Sequence, residues 1–211
     1  MDRIINDYYS RSPIPLTAPA GWTPPTLDGA VIKGAHQRRM TSKCVEKALK
    51  ALKKNGFSGI KQKGYNNFEE LYADVRNTLI TVSGIGSLTC YDVALRLGRF
   101  TTPWITPKDY VYVAQGALVG AHRLLGRDVV KKALIDEVKL PVSLFATLFP
   151  NIPAAHIEDM LCIYKTYFVT GGACKKFPSA SSNGACASSA STHRRPTSCS
   201  GGGICGSNSN P

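Results

Sequence analysis

The stretch that decides the predicted fold is residues 81–97, TVSGIGSLTCYDVALRL. Gly84 and Gly86 bracket Ile85, and apolar-periodic segments lie on both sides. Because glycine tolerates positive φ and leaves the backbone uncovered, residues 83–86 are predicted to form a tight hairpin between two helices, with Ile85 packed between them. The N–H groups of residues 86–88 then begin the second helix, where unpaired donors and the helix dipole favour an anion such as phosphate.

Helical patterns flank the hairpin on both sides. Asn67, followed three residues later by an acid, is typical of a capped helix start, and an apolar stripe continues through residues 68–80. The second helix is predicted over about residues 87–99. Arg96 and Arg99 fall near its C-terminal end, where each either contacts phosphate or simply complements the helix dipole.

This pattern resembles the helix-hairpin-helix DNA-binding motif, hydrophobic-x-Gly-hydrophobic-Gly-x-x-x-small-x-x-hydrophobic. The resemblance is carried by Val82, Gly84, Ile85, Gly86, Cys90 and Val93. Ser83 and Cys90 depart from the usual form, since the family often has proline and alanine there, but both replacements are small. The resemblance implies binding of nucleic-acid backbone without regard to sequence, with double-stranded DNA as the expected partner. The hairpin residues assigned to this contact are Gly84, Ile85, Gly86, Ser87 and Thr89.

Charge supports the same partner class. Basic residues outnumber acidic ones by 26 to 14 in a chain of 211 residues, and the formal net charge is +12. Ten of the basic residues lie within residues 33–63, where Glu46 is the one acid. A helix is predicted over about residues 43–54, and a single-sign surface on it is expected of a helix that contacts phosphates, although a merely solvated surface is the alternative. We call this surface the lysine face: Lys43, Lys47, Lys50 and Lys54.

The predicted fold class is all-α, with a multi-helix domain over residues 33–170 built around the helix-hairpin-helix at residues 68–99. Residues 1–32 hold five prolines and little periodicity, so an extended arm is expected. Residues 171–211 are rich in Ser, Gly, Ala and Asn, and disorder is expected because they cannot bury enough apolar surface. Further helices are predicted over residues 106–125 (with a strand at 110–113 as the alternative), 128–135 and 141–148, and from 151 onward.

A helical domain around such a hairpin is similar to the DNA glycosylase superfamily. Lyase-type members carry a lysine nucleophile two residues after the second hairpin glycine, and here that position is Leu88, which cannot form a Schiff base. They also carry an aspartate at the start of the next helix. Asp109 is the candidate for that role, although an acid in a first helical turn is equally explained by the dipole.

No metal or cofactor is predicted. Three cysteines in helical patterns are expected to be small buried residues, and four lie in the tail without paired spacing. A zinc site in the tail is the alternative, but the spacing of its ligands would differ from the tight pairs found in known structural zinc sites. An odd cysteine total and an N-terminus without an apolar signal core favour a reducing, intracellular compartment. The residues concerned are Cys44, Cys90 and Cys162 in the helical patterns, and Cys186, His193, Cys199 and Cys205 in the zinc alternative.

Three functional hypotheses therefore stand. The leading one is sequence-independent binding of nucleic-acid backbone through the hairpin and the lysine face. The alternatives are a monofunctional base-excision glycosylase that uses Asp109 to activate water, and a helical protein-interaction module in which the hairpin is only a tight bend. No membrane association is expected, because no stretch of 18 or more apolar residues is present.

Overall fold

The computed structural model describes residues 1–171 and 173–174. These residues are mostly helical, as the predicted fold class requires, and they also contain two short antiparallel strand pairs. Of these four strands, only the one near residues 110–113 was predicted, as an alternative to a helix. Among the helices of this described part, none combines the length and the apolar character needed to cross a bilayer.

The helices and strands follow one another along the chain, and the longest connection is residues 11–28, between α1 and α2. The N-terminal elements are α1 (Asp2–Ser10), α2 (Gly29–Ile32), α3 (Ser42–Lys54), α4 (Ile60–Lys63), α5 (Phe68–Leu79) and α6 (Ser87–Gly98). The C-terminal elements are β1 (Tyr110–Tyr112), α7 (Gly116–Leu125), α8 (Arg127–Ala133), β2 (Lys139–Pro141), α9 (Ala154–Ile163), β3 (Phe168–Val169) and β4 (Ala173–Cys174). Short 3₁₀ turns cover Ala35–Gln37, Phe57–Gly59 and Val142–Phe145. β1 pairs antiparallel with β2, and β3 pairs antiparallel with β4.

The first hydrophobic core forms around α3, α5 and α6. The Asn67 side chain accepts a hydrogen bond from the Glu70 N–H at 2.9 Å and begins α5, as the sequence predicts. From there the apolar stripe of α5 is buried against α6 and against Ala48 and Leu52 of α3. The helical spacing of these residues therefore fixes which side of each helix faces inward.

The second hydrophobic core forms around α7 and α9, with α1 packed against them. A Cβ on Gly120 would collide with the Leu161 carbonyl oxygen, and one on Gly116 would lie 2.6 Å from the Cys162 sulfur. Because glycine has no side chain, Gly116 and Gly120 allow α7 and α9 to approach each other closely.

The prediction of an extended arm over residues 1–32 is wrong at both of its ends, because α1 and α2 are helices. Ile4 and Tyr8 lie one turn apart on α1, and both are buried in the second core. The five prolines that suggested an arm all lie between residues 13 and 25, after α1 has ended.

The predicted helix over residues 106–125 is also wrong in its first half, where the alternative strand is correct. Aromatic and β-branched residues favour a strand, and Val111 of β1 lies opposite Leu140 of β2. Helix α7 begins only at Gly116, after a turn in which Gln115 has a φ of 43°.

Smaller differences occur toward the C-terminus. A 3₁₀ turn at Val142–Phe145 takes the place of the helix predicted over residues 141–148. The predicted tail includes Ala173–Cys174, yet these residues form β4. The zinc alternative at Cys186, His193, Cys199 and Cys205, and the disorder predicted for residues 175–211, lie outside the described residues.

Candidate nucleic-acid interface

The hairpin has the backbone geometry that its two glycines suggest. Gly84 adopts a φ of +92°, a left-handed conformation that residues other than glycine rarely adopt. The N–H of Ile85 donates to the Val82 carbonyl at 3.0 Å, which closes the turn. Ile85 is 7% exposed and packs into the first core, so the predicted burial of this side chain is confirmed.

Gly86 presents bare backbone to solvent at the start of α6. It is exposed and extended, and its carbonyl accepts from the Cys90 N–H at 3.0 Å. A Cβ at this position would meet no atom within 4 Å. The first N–H groups of a helix have no intrahelical partner, and Gly86 has no side chain that could accept from them. The N-terminus of α6 is therefore suited to a hydrogen-bond acceptor from outside the protein.

All four side chains of the lysine face are exposed on α3, opposite the buried Ala48 and Leu52. The helix matches the predicted span of residues 43–54, and its N-cap is Thr41, whose hydroxyl accepts from the Cys44 N–H. With a rise of about 1.5 Å per residue, the lysine face extends roughly 16 Å along the helix.

The hairpin and the lysine face meet at the first turn of α3. The Cys44 thiol lies 3.3 Å from the Ser83 carbonyl oxygen, and a Cβ on Gly84 would lie 3.3 Å from the same sulfur. Residues three and four apart on a helix are surface neighbours, so Lys47 lies one turn from this contact and Lys43 precedes it directly in sequence. The lysine face therefore begins beside the hairpin.

A groove of about 340 Å³ lies where the two features meet. Its walls include the exposed side chains of His36 and Arg39 as well as Ser83, Gly84 and Thr89. Arg39 belongs to the basic segment of residues 33–63, but neither Arg39 nor His36 was predicted to be a site residue. The sequence signal that could have indicated these two residues is their position just before the capped start of α3.

The predicted contributions of several residues in α6 or at its C-cap need correction. The Arg96 guanidinium donates to the Val31 and Ile32 carbonyls at 2.9 and 3.2 Å, so it ties α2 to α6 rather than facing solvent. Arg99 is half-buried, and its guanidinium lies 5.3 Å from the centre of the Trp104 ring. Thr89 is buried beneath the groove and Ser87 is half-exposed, so Ser87 is the more accessible of the two.

Asp109 does not begin a helix. It lies exposed in the segment before β1, and its backbone carbonyl accepts from the Val142 N–H at 3.0 Å. The glycosylase resemblance implies that Asp109 is an acid at the start of a helix. The structure does not place it at such a position. Leu88 is half-exposed in the first turn of α6.

A second feature, which was not predicted from the sequence, is a cavity of about 240 Å³ between α6 and α9. We call it the acidic cavity, because three carboxyl groups line it: Asp92, Glu158 and Asp159. Asp92 is held by the His36 imidazole at 3.0 Å and by the Gln37 amide at 2.6 Å. The hydrogen bond to Asp92 is the main reason why the pKa of His36 is raised.

Burial dominates the electrostatics of the other two carboxyls. It raises the pKa of Glu158 well above its usual value, and the neighbouring Asp159 and Asp92 act in the same direction. Burial also raises the pKa of Asp159, although a hydrogen bond of 2.9 Å from the Tyr8 hydroxyl opposes that shift. The one pattern in the sequence that points here is His156-Ile-Glu-Asp159, two adjacent acids on an otherwise apolar helix.

Within residues 1–171 and 173–174, no group of His, Cys, Asp or Glu side chains is arranged to hold a metal ion. No family model, curated protein or solved structure matches the chain. The function is therefore argued from the hairpin, the lysine face and the acidic cavity themselves.

Proposed function

We propose that the protein binds the backbone of nucleic acid, with double-stranded DNA as the expected partner, through the hairpin and the lysine face together. The observation that carries the proposal is the exposed backbone of Gly86 at the start of α6, in a hairpin whose Ser83 carbonyl lies 3.3 Å from the Cys44 thiol in the first turn of α3. We interpret the hairpin between α5 and α6 as a motif of the helix-hairpin-helix type, with the lysine face as an additional contact surface.

The hairpin supplies a phosphate contact that needs no side chain. A phosphate oxygen accepts from the first N–H groups of α6, and the helix dipole adds a partial positive charge at the same point. Gly86 keeps the approach open, while the buried Ile85 and the left-handed Gly84 hold the turn in place. Such contacts fix the position of a duplex without reading its bases.

The lysine face supplies the electrostatic part of the affinity. Each lysine that neutralises a phosphate releases condensed counterions, which makes binding sensitive to salt. Arg39, exposed in the groove between the two features, adds a cation close to the hairpin. The chain's net charge of +12 favours the approach of any polyanion, and the hairpin gives that approach one preferred place.

The test is a graded series at Gly86. Gly86→Ala and Gly86→Val place progressively larger side chains where the phosphate approaches. Because the added Cβ meets no atom within 4 Å, we expect both variants to fold, with a stability cost limited to the poorer N-cap of α6. We expect Gly86→Val to weaken binding by about tenfold or more on every sequence, since roughly 1.4 kcal/mol of lost contact corresponds to tenfold. Gly86→Ala should lie between Gly86→Val and the wild-type protein.

Affinity is measured on duplex DNA, single-stranded DNA and duplex RNA, with folding checked by circular dichroism. If a folded Gly86→Val protein keeps its full affinity for all three, the hairpin does not touch phosphate. The helical protein-interaction module then becomes the better hypothesis. A loss confined to one base sequence would likewise contradict a contact made only to the backbone.

A further inference from the structure

The imidazole of His36 takes part in two different environments. It lines the groove beside the hairpin, and it also lines the acidic cavity. Its Nδ1 atom lies 3.0 Å from the carboxyl of Asp92, which is buried on α6. Among the described residues, no hydrogen-bond partner is found for Nε2, the other ring nitrogen. The ring is thus held at one nitrogen, while 47% of the side chain remains exposed.

The groove brings this imidazole close to the hairpin and away from acids. Besides His36, its charged or titratable side chains are Arg39 and Cys44, and none of the described residues that line it carries a carboxyl group. Thr89, in the first turn of α6, lines the groove together with Gly84 of the hairpin. The groove therefore reaches the helix start that is proposed to receive a phosphate.

The groups around His36 favour its protonated form. The hydrogen bond to Asp92 is the largest cause that raises the pKa of His36, and the negative charges of Asp92 and Asp159 act in the same direction. Burial and the positive charge of Arg96 oppose this shift without reversing it. A phosphate in the groove adds a further negative charge, so the ring takes up a proton more readily when phosphate is bound. The other charged or titratable groups on the surrounding elements are Arg38 and Arg39 beside the ring, Lys43, Cys44 and Lys47 of α3, Arg99 at the C-cap of α6, and His156 and Glu158 of α9.

We propose that His36 is a phosphate contact whose strength depends on its protonation. The inference rests on the proposed function, since the phosphate belongs to the nucleic acid held at the hairpin. When Asp92 accepts the Nδ1 proton of the neutral ring, Nε2 carries a lone pair that repels a phosphate oxygen. Once protonated, Nε2 is a charged donor, and a charge-assisted hydrogen bond is roughly twice as strong as a neutral one. Binding therefore takes up a proton, and the affinity falls as pH rises through the pKa of His36.

The first test follows the affinity for a labelled duplex of mixed sequence from about pH 6 to about pH 9 at constant salt. A contact that raises the pKa of His36 by about one unit corresponds to a loss of affinity of about tenfold over this range. His36→Gln gains no charge at any of these pH values. We expect its affinity to vary little with pH and to match that of the wild-type protein at high pH.

Two further variants exclude other titrating groups. His122→Gln is the matched control, because His122 lies on α7 and does not line the groove, and it should keep the wild-type pH profile. Cys44→Ser should also keep the pH dependence, whatever its absolute affinity, although ionisation of the Cys44 thiol in the groove would otherwise produce the same trend.

Proton uptake gives a second measurement, which needs no variant. Titration calorimetry of the full wild-type chain with the duplex, in buffers of different ionisation enthalpy, counts the protons taken up on binding. A pKa shift of about one unit gives about half a proton at a pH midway between the free and bound values.

An affinity that is independent of pH, with no proton uptake, would overturn the inference, and so would a pH dependence that a folded His36→Gln protein retains. If either result is found while Gly86→Val still weakens binding, the proposed function stands without His36. If the wild-type protein binds no duplex at any pH, both proposals fail.

Discussion

Removing the charge of the lysine face tests whether these side chains contact phosphate. The perturbation is the simultaneous change of Lys43, Lys47, Lys50 and Lys54 to glutamine, which has a similar helix propensity and a similar length. All four side chains are exposed, and the opposite side of α3 carries the buried Ala48 and Leu52. We therefore expect the variant to fold and to melt within a few degrees of the wild-type protein.

The magnitude follows from counterion release. Each neutralised phosphate contributes about −0.9 to the slope of log K against log salt on duplex DNA, so loss of four contacts should make the slope less negative by about 3.6. Between about 50 and 200 mM salt, the wild-type protein should then lose roughly 150-fold more affinity than the variant does. Fluorescence anisotropy with a labelled duplex of mixed sequence, repeated over that range of salt, measures both slopes.

A charge-matched control separates a local contact from a general effect of net charge. Lys108, Arg127, Lys131 and Lys132 are exposed outside α3, and their change to glutamine alters the net charge by the same amount. We expect this control to keep nearly the wild-type slope. Two results refute the reasoning: an unchanged slope in the lysine-face variant, or an equal change in the control.

Two further predictions concern stability. Ile85→Asp should lower the free energy of unfolding by about 3–5 kcal/mol, because it puts a carboxylate in the first core and removes apolar contacts. Denaturant unfolding measures this loss, and a loss of less than about 1 kcal/mol would mean that Ile85 does not hold the turn. His36 has its pKa raised chiefly by its hydrogen bond to Asp92, so its stabilising contribution is complete below the unfolded value of about 6.5 and is lost as pH rises through the folded pKa. The melting temperature of His36→Ala should therefore lie furthest below wild type near pH 5.5 and approach it by about pH 8.5, whereas a gap that widens with pH would contradict this assignment.

The parts of the fold that the sequence predicts well are those governed by local rules. The start of α5 at the Asn67 cap, the end of α3 near Asn55, and the turn at Gly84 all depend on residues within one helical turn. The strand at Tyr110–Tyr112 was only the alternative, because its partner β2 lies almost thirty residues away and tertiary pairing decides between strand and helix.

The same distinction explains the outcome for the site residues. The lysine face follows from helical periodicity alone and is found where the pattern puts it. The sequence predicts that Arg96 lies on a helix, but it does not predict the hydrogen-bond partners of Arg96. Those partners are carbonyls of α2, more than sixty residues earlier in the chain. The acidic cavity needs Asp92 and Glu158 to be brought together from α6 and α9, and no spacing rule in the sequence does that.

The packing of α1 against α9 has a consequence for the order in which the molecule can form during synthesis. The Tyr8 hydroxyl donates to Asp159, 151 positions later, whereas the first core draws almost entirely on residues 27–112. At about 5–20 residues per second, roughly 8–30 s separate the translation of Tyr8 from that of Asp159. Over that interval α1 has emerged from the ribosome with its apolar side uncovered, while the first core already has nearly all of its residues. Ribosome-bound chains stalled just before α9 should thus protect the hairpin from proteolysis while leaving residues 1–16 open to it.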